Sequence, residues 1–79
     1  MRYVYILESL AEADRFYVGM TADLRTRLKA HNSGNVTHTS KFAPWRVKTY
    51  VAFSDVDQAA RFERYLKSGS GRAFARKRL

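Results

Sequence analysis

The run Arg2-Tyr3-Val4-Tyr5-Ile6-Leu7 is apolar in both of its alternating registers, and no other feature restricts the fold as much. Successive side chains of a strand point to opposite faces, so Tyr3, Tyr5 and Leu7 share one face while Val4 and Ile6 share the other. A strand with no polar face needs cover on both sides. The chain has 79 residues from which to build that cover. Such a length suits a single domain, residues 1–79, with a compact aromatic core.

The rest of the chain supplies the layers. Glu8 to Asp14 is a polar connection, and Phe16 to Gly19 reads as a second short strand, ending at Gly19 and near enough to pair as an antiparallel hairpin. Thr21 or Asp23 can cap a helix whose inward stripe is Leu24 and Leu28 and which is expected to end near His31. Asn32 to Pro44 lacks apolar periodicity and reads as a long polar loop holding His38 and Lys41. Trp45 to Phe53 alternates again, with Trp45, Val47, Thr49, Val51 and Phe53 on one side, and forms the third strand. Ser54 and Asp57 resemble a capping box before a helix through Val56, Ala59, Ala60, Glu63 and Leu66. Gly69 and Gly71 interrupt that helix, and Ser70 or Gly71 starts a last one anchored by Phe74. The order is β-β-α-β-α-α, a small α/β sheet domain.

Composition removes several functional classes. With no cysteine there is neither a disulfide framework nor a thiolate metal site, and two histidines cannot hold a structural zinc alone. No apolar stretch approaches a membrane span, and the opening run is too short for a signal peptide, so a soluble cytoplasmic protein is expected. Fifteen Lys and Arg against seven Asp and Glu give a net charge of +8, a field that favours polyanions, nucleic acid first among them. From Arg61 onward seven basic residues accompany the single acid Glu63, so the basic footprint lies at the C-terminus, with Lys67, Arg72, Arg76, Lys77 and Arg78 as candidate phosphate contacts. A merely cationic surface is the plain alternative.

Three constellations carry possible chemistry. Arg27 and His31 are four apart beside Leu24 and Leu28, so both project from the edge of the helix face that meets the sheet, whereas Arg25 and Lys29 point to water. A guanidinium there can bind a phosphate through two parallel N–H bonds, and an imidazole can move a proton near neutral pH. An ordinary charged rim is the alternative. Glu63 falls on the apolar stripe Val56, Ala59, Ala60, where a carboxylate needs a partner: either a divalent ion or an ion pair with Lys67, four residues on, or Arg27. Tyr5 and Tyr17 are expected side by side on neighbouring strands, with their hydroxyls at the sheet surface. A phenol near a cation there would lose its proton more easily than in water, although tyrosine in strands usually only packs.

Taken in order, Tyr3-Val4-Tyr5, Tyr17-Val18-Gly19, Arg27 ten residues after Tyr17, His31 four further on and Glu63 in a later helix resemble the GIY-YIG nuclease domain. The likeness spans nearly the whole chain. It implies a three-stranded antiparallel sheet flanked by helices and a metal-dependent endonuclease that hydrolyses DNA phosphodiesters, directed by DNA structure, in repair or recombination. It assigns catalytic roles to Tyr5, Tyr17, Arg27 and His31 and the ligation of one divalent ion, Mg²⁺ or Mn²⁺, to Glu63. Tyr5, Tyr17 and His31 all remain open as the base. Gly19 belongs to the second motif, and His38 falls near a second histidine of homing-type members, with a solvated side chain as the alternative. Three positions depart from the family pattern: Tyr3 replaces a usual Gly, Met20 replaces a Lys carried by some members, and the frequent C-terminal Asn has no counterpart. A domain this small leaves base recognition to DNA shape or to a partner protein. A nucleic-acid-binding module without useful catalysis is the alternative reading, and a protein-interaction domain of nuclease shape is the third.

Overall fold

The computed structural model describes all 79 residues. Strands β1 (Arg2–Ser9), β2 (Phe16–Thr21) and β3 (Trp45–Phe53) form one antiparallel sheet in the order β2-β1-β3. The doubly apolar strand is therefore the central one, and Val4, Tyr5, Ile6 and Leu7 are all buried. Helix α1 (Leu24–Asn32) covers one face, where Tyr5, Leu7 and Trp45 form a cluster with Leu24 and Leu28. Helices α2 (Val56–Leu66) and α3 (Gly69–Arg78) cover the other, where Val4 and Ile6 pack with Ala59 and Leu66. The β-β-α-β-α-α order and the three-stranded antiparallel sheet both stand as expected.

Several local expectations are corrected. Strand β2 does not end at Gly19 but continues to Thr21. The inward side of β3 is not one continuous stripe, because the register shifts opposite Ile6 and Leu7: Leu7 pairs with Val47 while Ile6 pairs with Thr49. The extra residue, Lys48, makes a bulge, which moves the alternation to the other face. Trp45 and Val47 therefore pack under α1, whereas Phe53 packs with α2. Asp55, not Ser54, caps α2, its carboxylate accepting the backbone N–H groups of Asp57 and Gln58. Val56 is exposed, and the helix buries Ala59 and Leu66 with Phe62 half-covered, which sets Glu63 on the flank.

The third helix also begins earlier than expected. Ser68 caps it by accepting the N–H of Gly71, so both glycines lie inside it. Phe74 does not anchor it; this ring is exposed and lies tilted against Tyr65, while Ala75 and Leu79 reach the core. Gly71 is the true contact. It is buried against the end of α2, and a methyl there would overlap the Tyr65 carbonyl oxygen and stand 2.8 Å from Leu66 Cα.

Two glycine substitutions should consequently act in opposite directions. Gly71→Ala has only backbone to push against and is expected to destabilise by about 2 kcal/mol or more. Gly69→Ala meets nothing within 4 Å and should be neutral or stabilising by up to ~1 kcal/mol. Urea unfolding of the two variants beside the wild type measures both, and equal effects would refute the packing argument.

Candidate active site

Tyr5 pairs with Gly19 across β1 and β2, and Leu7 pairs with Tyr17. The two phenols thus share the α1 face on a diagonal, with ring centroids 6.3 Å apart. A methyl on Gly19 would overlap the Tyr5 hydroxyl and come within 2.6 Å of Tyr5 Cζ and 3.0 Å of Tyr17 Cε2. The Tyr5 ring can lie over β2 because its cross-strand neighbour has no side chain.

Helix α1 brings His31 to the same place. Asp23 fixes the helix start, accepting from both the backbone N–H and the hydroxyl of Thr26, and these hydrogen bonds lower its carboxyl pKa. Two turns later His31 is fully buried, with Nε2 3.0 Å from Tyr5 Oη and Nδ1 2.8 Å from Thr39 Oγ1. The imidazole ring stands 4.9 Å from that of Tyr17, centroid to centroid. Proton positions follow from the partners. The Thr39 hydroxyl donates to the Val36 carbonyl at 3.3 Å, which leaves a lone pair for His31 Nδ1–H. The unprotonated Nε2 then accepts from the Tyr5 hydroxyl.

Arg27, one turn before His31, is half-buried, and polar contact with the Tyr5 hydroxyl, reinforced by Tyr17, raises its pKa above the ordinary guanidinium value. Tyr5 does not respond as the sequence led us to expect. It is buried rather than at the sheet surface, and burial pushes its pKa up despite the opposing pull of Arg27. Loss of phenolate hydration outweighs one nearby cation. Burial, and then the charge of Arg27, lowers the His31 pKa below its usual value. At rest the centre consists of a neutral phenol, a neutral imidazole and one guanidinium.

Glu63 approaches from α2. Its side chain is 21% exposed and pairs with Lys67, Nζ to Oε2 3.1 Å, so of the two ion-pair partners considered, Lys67 rather than Arg27 holds it. Its charge is near enough to Tyr5 to contribute to the raised phenol pKa. No group of three or more His, Asp or Glu side chains is gathered anywhere in the chain. A lone, partly sheltered carboxylate still fits a hard cation that keeps waters and takes phosphate oxygens as its other ligands.

The basic residues divide. Lys67, Arg72 and Arg76 line one groove that also borders Tyr17 and is joined by Arg15 and Lys48, neither of which stood out in the sequence. Lys77 and Arg78 are exposed in the last turn of α3, outside that groove. His38 and Lys41 are exposed and make no side-chain hydrogen bond; Lys41 sits in a short 3₁₀ turn, Ser40–Phe42. Thr39 between them is the residue the sequence did not reveal. The segment that carries it is held at both ends: Asn32 receives the Trp45 N–H at 2.6 Å and donates to the Trp45 carbonyl at 3.0 Å, and the Trp45 indole donates to the Thr39 carbonyl at 2.9 Å.

Comparison with known proteins agrees with this fold. Residues 1–77 match the family described as the GIY-YIG catalytic domain. A UPF0213 protein of Halalkalibacterium halodurans is 37% identical over 71 residues, covering 89% of this chain and 73% of its own length, and one of Clostridium perfringens is 35% identical over 68 residues, covering 85% and 71%. The solution structure of the former, described there as from Bacillus halodurans, superposes with a TM-score of 0.58 at 32% identity, covering 98% of this chain and 84% of that one. A Giardia intestinalis protein named structure-specific endonuclease subunit SLX1 homolog is 34% identical over 65 residues, 77% of this chain; the match spans only 18% of that longer protein. No helix is long and apolar enough to cross a membrane. With residues 1–77 matched to that family and this α/β fold around them, the chain belongs to the GIY-YIG family.

Proposed function

We propose that the chain is a metal-dependent endonuclease that hydrolyses DNA phosphodiester bonds and selects its substrate by structure rather than by base sequence. The observation that carries this reading is the hydrogen-bonded line Tyr5–His31–Thr39 beside Arg27 and Tyr17. A protonated, buried phenol is a poor base by itself, but this one already points its proton at an unprotonated imidazole nitrogen. As a water attacks phosphorus, it gives its proton to Tyr5 Oη while the phenol proton passes to His31 Nε2. Thr39 keeps the other imidazole nitrogen protonated and the ring in place. Arg27 binds the nonbridging oxygens and stabilises the charge that grows on them, and Tyr17 helps to orient the attacking water. The phosphorus–oxygen bond opposite the water breaks, and the departing oxygen takes a proton from solvent. A bound Mg²⁺ or Mn²⁺ held by Glu63 would supply Lewis-acid stabilisation of that oxygen.

The groove of Lys67, Arg72 and Arg76 beside Tyr17 is suited to the flanking phosphates, with Lys77, Arg78 and, more remotely, Lys41 and His38 as peripheral contacts. The Giardia relative's name, a structure-specific endonuclease subunit, supports the substrate class, and a partner protein is a natural source of further specificity. The second reading, a DNA-binding module without cleavage, is favoured by one observation: Glu63 is already neutralised by Lys67.

Cleavage of branched, nicked and single-stranded DNA with Mg²⁺ or Mn²⁺ separates the two. Wild-type protein should cut at least one of these, and Arg27→Ala or Glu63→Ala should lose about 10²-fold or more of the rate while DNA binding persists. Binding by all proteins with cleavage by none, whichever metal is supplied, would establish the second reading. On either, log affinity should fall linearly as log salt rises; binding that ignores salt would remove nucleic acid as the partner.

The lowered His31 pKa gives a pH test with a defined sign. Below the ordinary histidine value of 6.5 the unfolded chain takes up a proton that the folded protein resists, so stability should decline as pH falls from 6.5 toward the folded pKa and level off below it. His31→Gln should lack that segment of the curve. Thermal melts of both proteins between pH 7.5 and 5 measure it, and parallel curves would show that His31 is not held neutral.

A further inference from the structure

Lys67 belongs to two places at once. Its ammonium holds the carboxylate of Glu63 at 3.1 Å, and the same side chain lines the groove with Arg15, Lys48, Arg72 and Arg76. Its backbone is fixed as the C-cap of α2, with its N–H bonded to the Arg64 carbonyl, while the side chain is half exposed. A lysine in that position has an anchored base and a flexible four-carbon stem ending in a point charge.

We propose that Lys67 is an internal stand-in for the metal ion, neutralising Glu63 in the free protein and released to a substrate phosphate when the ion arrives. This rests on the reading of Glu63 as the metal ligand. A largely sheltered carboxylate is costly without a counter-charge, and Lys67 supplies one when no ion is bound. A divalent cation on Glu63 would repel an ammonium 3 Å from the same oxygen, so the two cannot share it. The displaced ammonium remains within the groove, where its basic neighbours outnumber the carboxylates of Glu12 and Asp14, and it takes a phosphate when DNA places one there. Metal and DNA therefore favour each other's binding, and the coupling is reciprocal. An ordinary phosphate contact would show no such dependence on metal.

Four proteins test this: wild type, Lys67→Met, Lys67→Arg and Glu63→Gln. Mn²⁺ affinity without DNA is measured from the electron paramagnetic resonance signal of the free ion. DNA affinity is measured by fluorescence anisotropy on a nicked duplex with nuclease-resistant phosphorothioate linkages, once in EDTA and once in Mn²⁺. Lys67→Met should bind Mn²⁺ about threefold or more tighter than wild type, because the competing charge is gone, while Lys67→Arg should stay near wild type. Relative to wild type, Lys67→Met should lose several-fold more affinity for the duplex in Mn²⁺ than in EDTA, where only the bared Glu63 charge weakens it.

Equal loss of DNA affinity in EDTA and in Mn²⁺ would make Lys67 a simple phosphate contact and overturn the proposal, as would unchanged Mn²⁺ affinity in Lys67→Met. Glu63→Gln should lose Mn²⁺ binding. If it binds the ion as wild type does, Glu63 is not the ligand and the metal assignment fails with the stand-in role. If only the Lys67 variants disagree, that assignment survives.

Discussion

The hydrogen bond between Tyr5 and His31 joins the central strand to the helix that covers it, and the rest of the site is arranged around that bond. Both partners are buried, so each must satisfy its polar atoms inside the protein. Tyr5 does so through His31, and His31 does so through Tyr5 and Thr39. Thr39 in turn must be delivered by a segment with little core of its own, and Asn32 and Trp45 clamp that segment from its two ends. The polar line is thus also structural: it positions α1 on the sheet where Leu24 and Leu28 alone cover little. No buried side-chain polar atom in the protein lacks a partner.

Position in the sheet explains why this polar line can coexist with a small core. The two faces of β1 are specialised. Val4 and Ile6 meet α2 and α3 through purely apolar contacts, whereas Tyr5 and Leu7 meet α1, an aromatic cluster and the imidazole. The Lys48 bulge keeps the division workable, since it lets β3 give Trp45 and Val47 to the site face and Phe53 to the apolar face.

How much of this the sequence made legible depended on the range of the interactions involved. The double apolar register of Arg2 to Leu7 announced a covered strand, and alternation located β3 from Trp45 to Phe53, because period-two patterning is local and strong. Arg27 and His31 could be placed on one edge of a helix by spacing alone, and the tyrosines on neighbouring strands. What stayed hidden was set by contacts between distant segments. Thr39 looks like any polar loop residue until His31 is folded above it. The bulge at Lys48 leaves no mark in the alternation, and the cap of α2 falls on Asp55 rather than the expected Ser54 because the backbone enters the helix one residue later. The depth of Tyr5 was misjudged for the same reason: a strand tyrosine becomes a buried, protonated phenol only when α1 and the segment carrying Thr39 close over it.

The charge of the site at rest has a consequence for when it can act. With Tyr5 protonated and His31 neutral, the guanidinium of Arg27 is the positive charge beside the two tyrosines and the histidine, and it is part of what keeps His31 from accepting a proton. An anionic phosphate against Arg27 offsets that repulsion. On the proposed mechanism the imidazole becomes a competent acceptor for the Tyr5 proton once the substrate is in place, so the anion that is to be cleaved also prepares the base. Burial, which makes the phenol a weaker acid, works in the same direction, because it keeps the proton on Tyr5 until an attacking water and a neutralised Arg27 make its transfer favourable. A more exposed tyrosine would ionise more readily but would lose its fixed aim at His31, and that aim is what a two-step proton transfer requires.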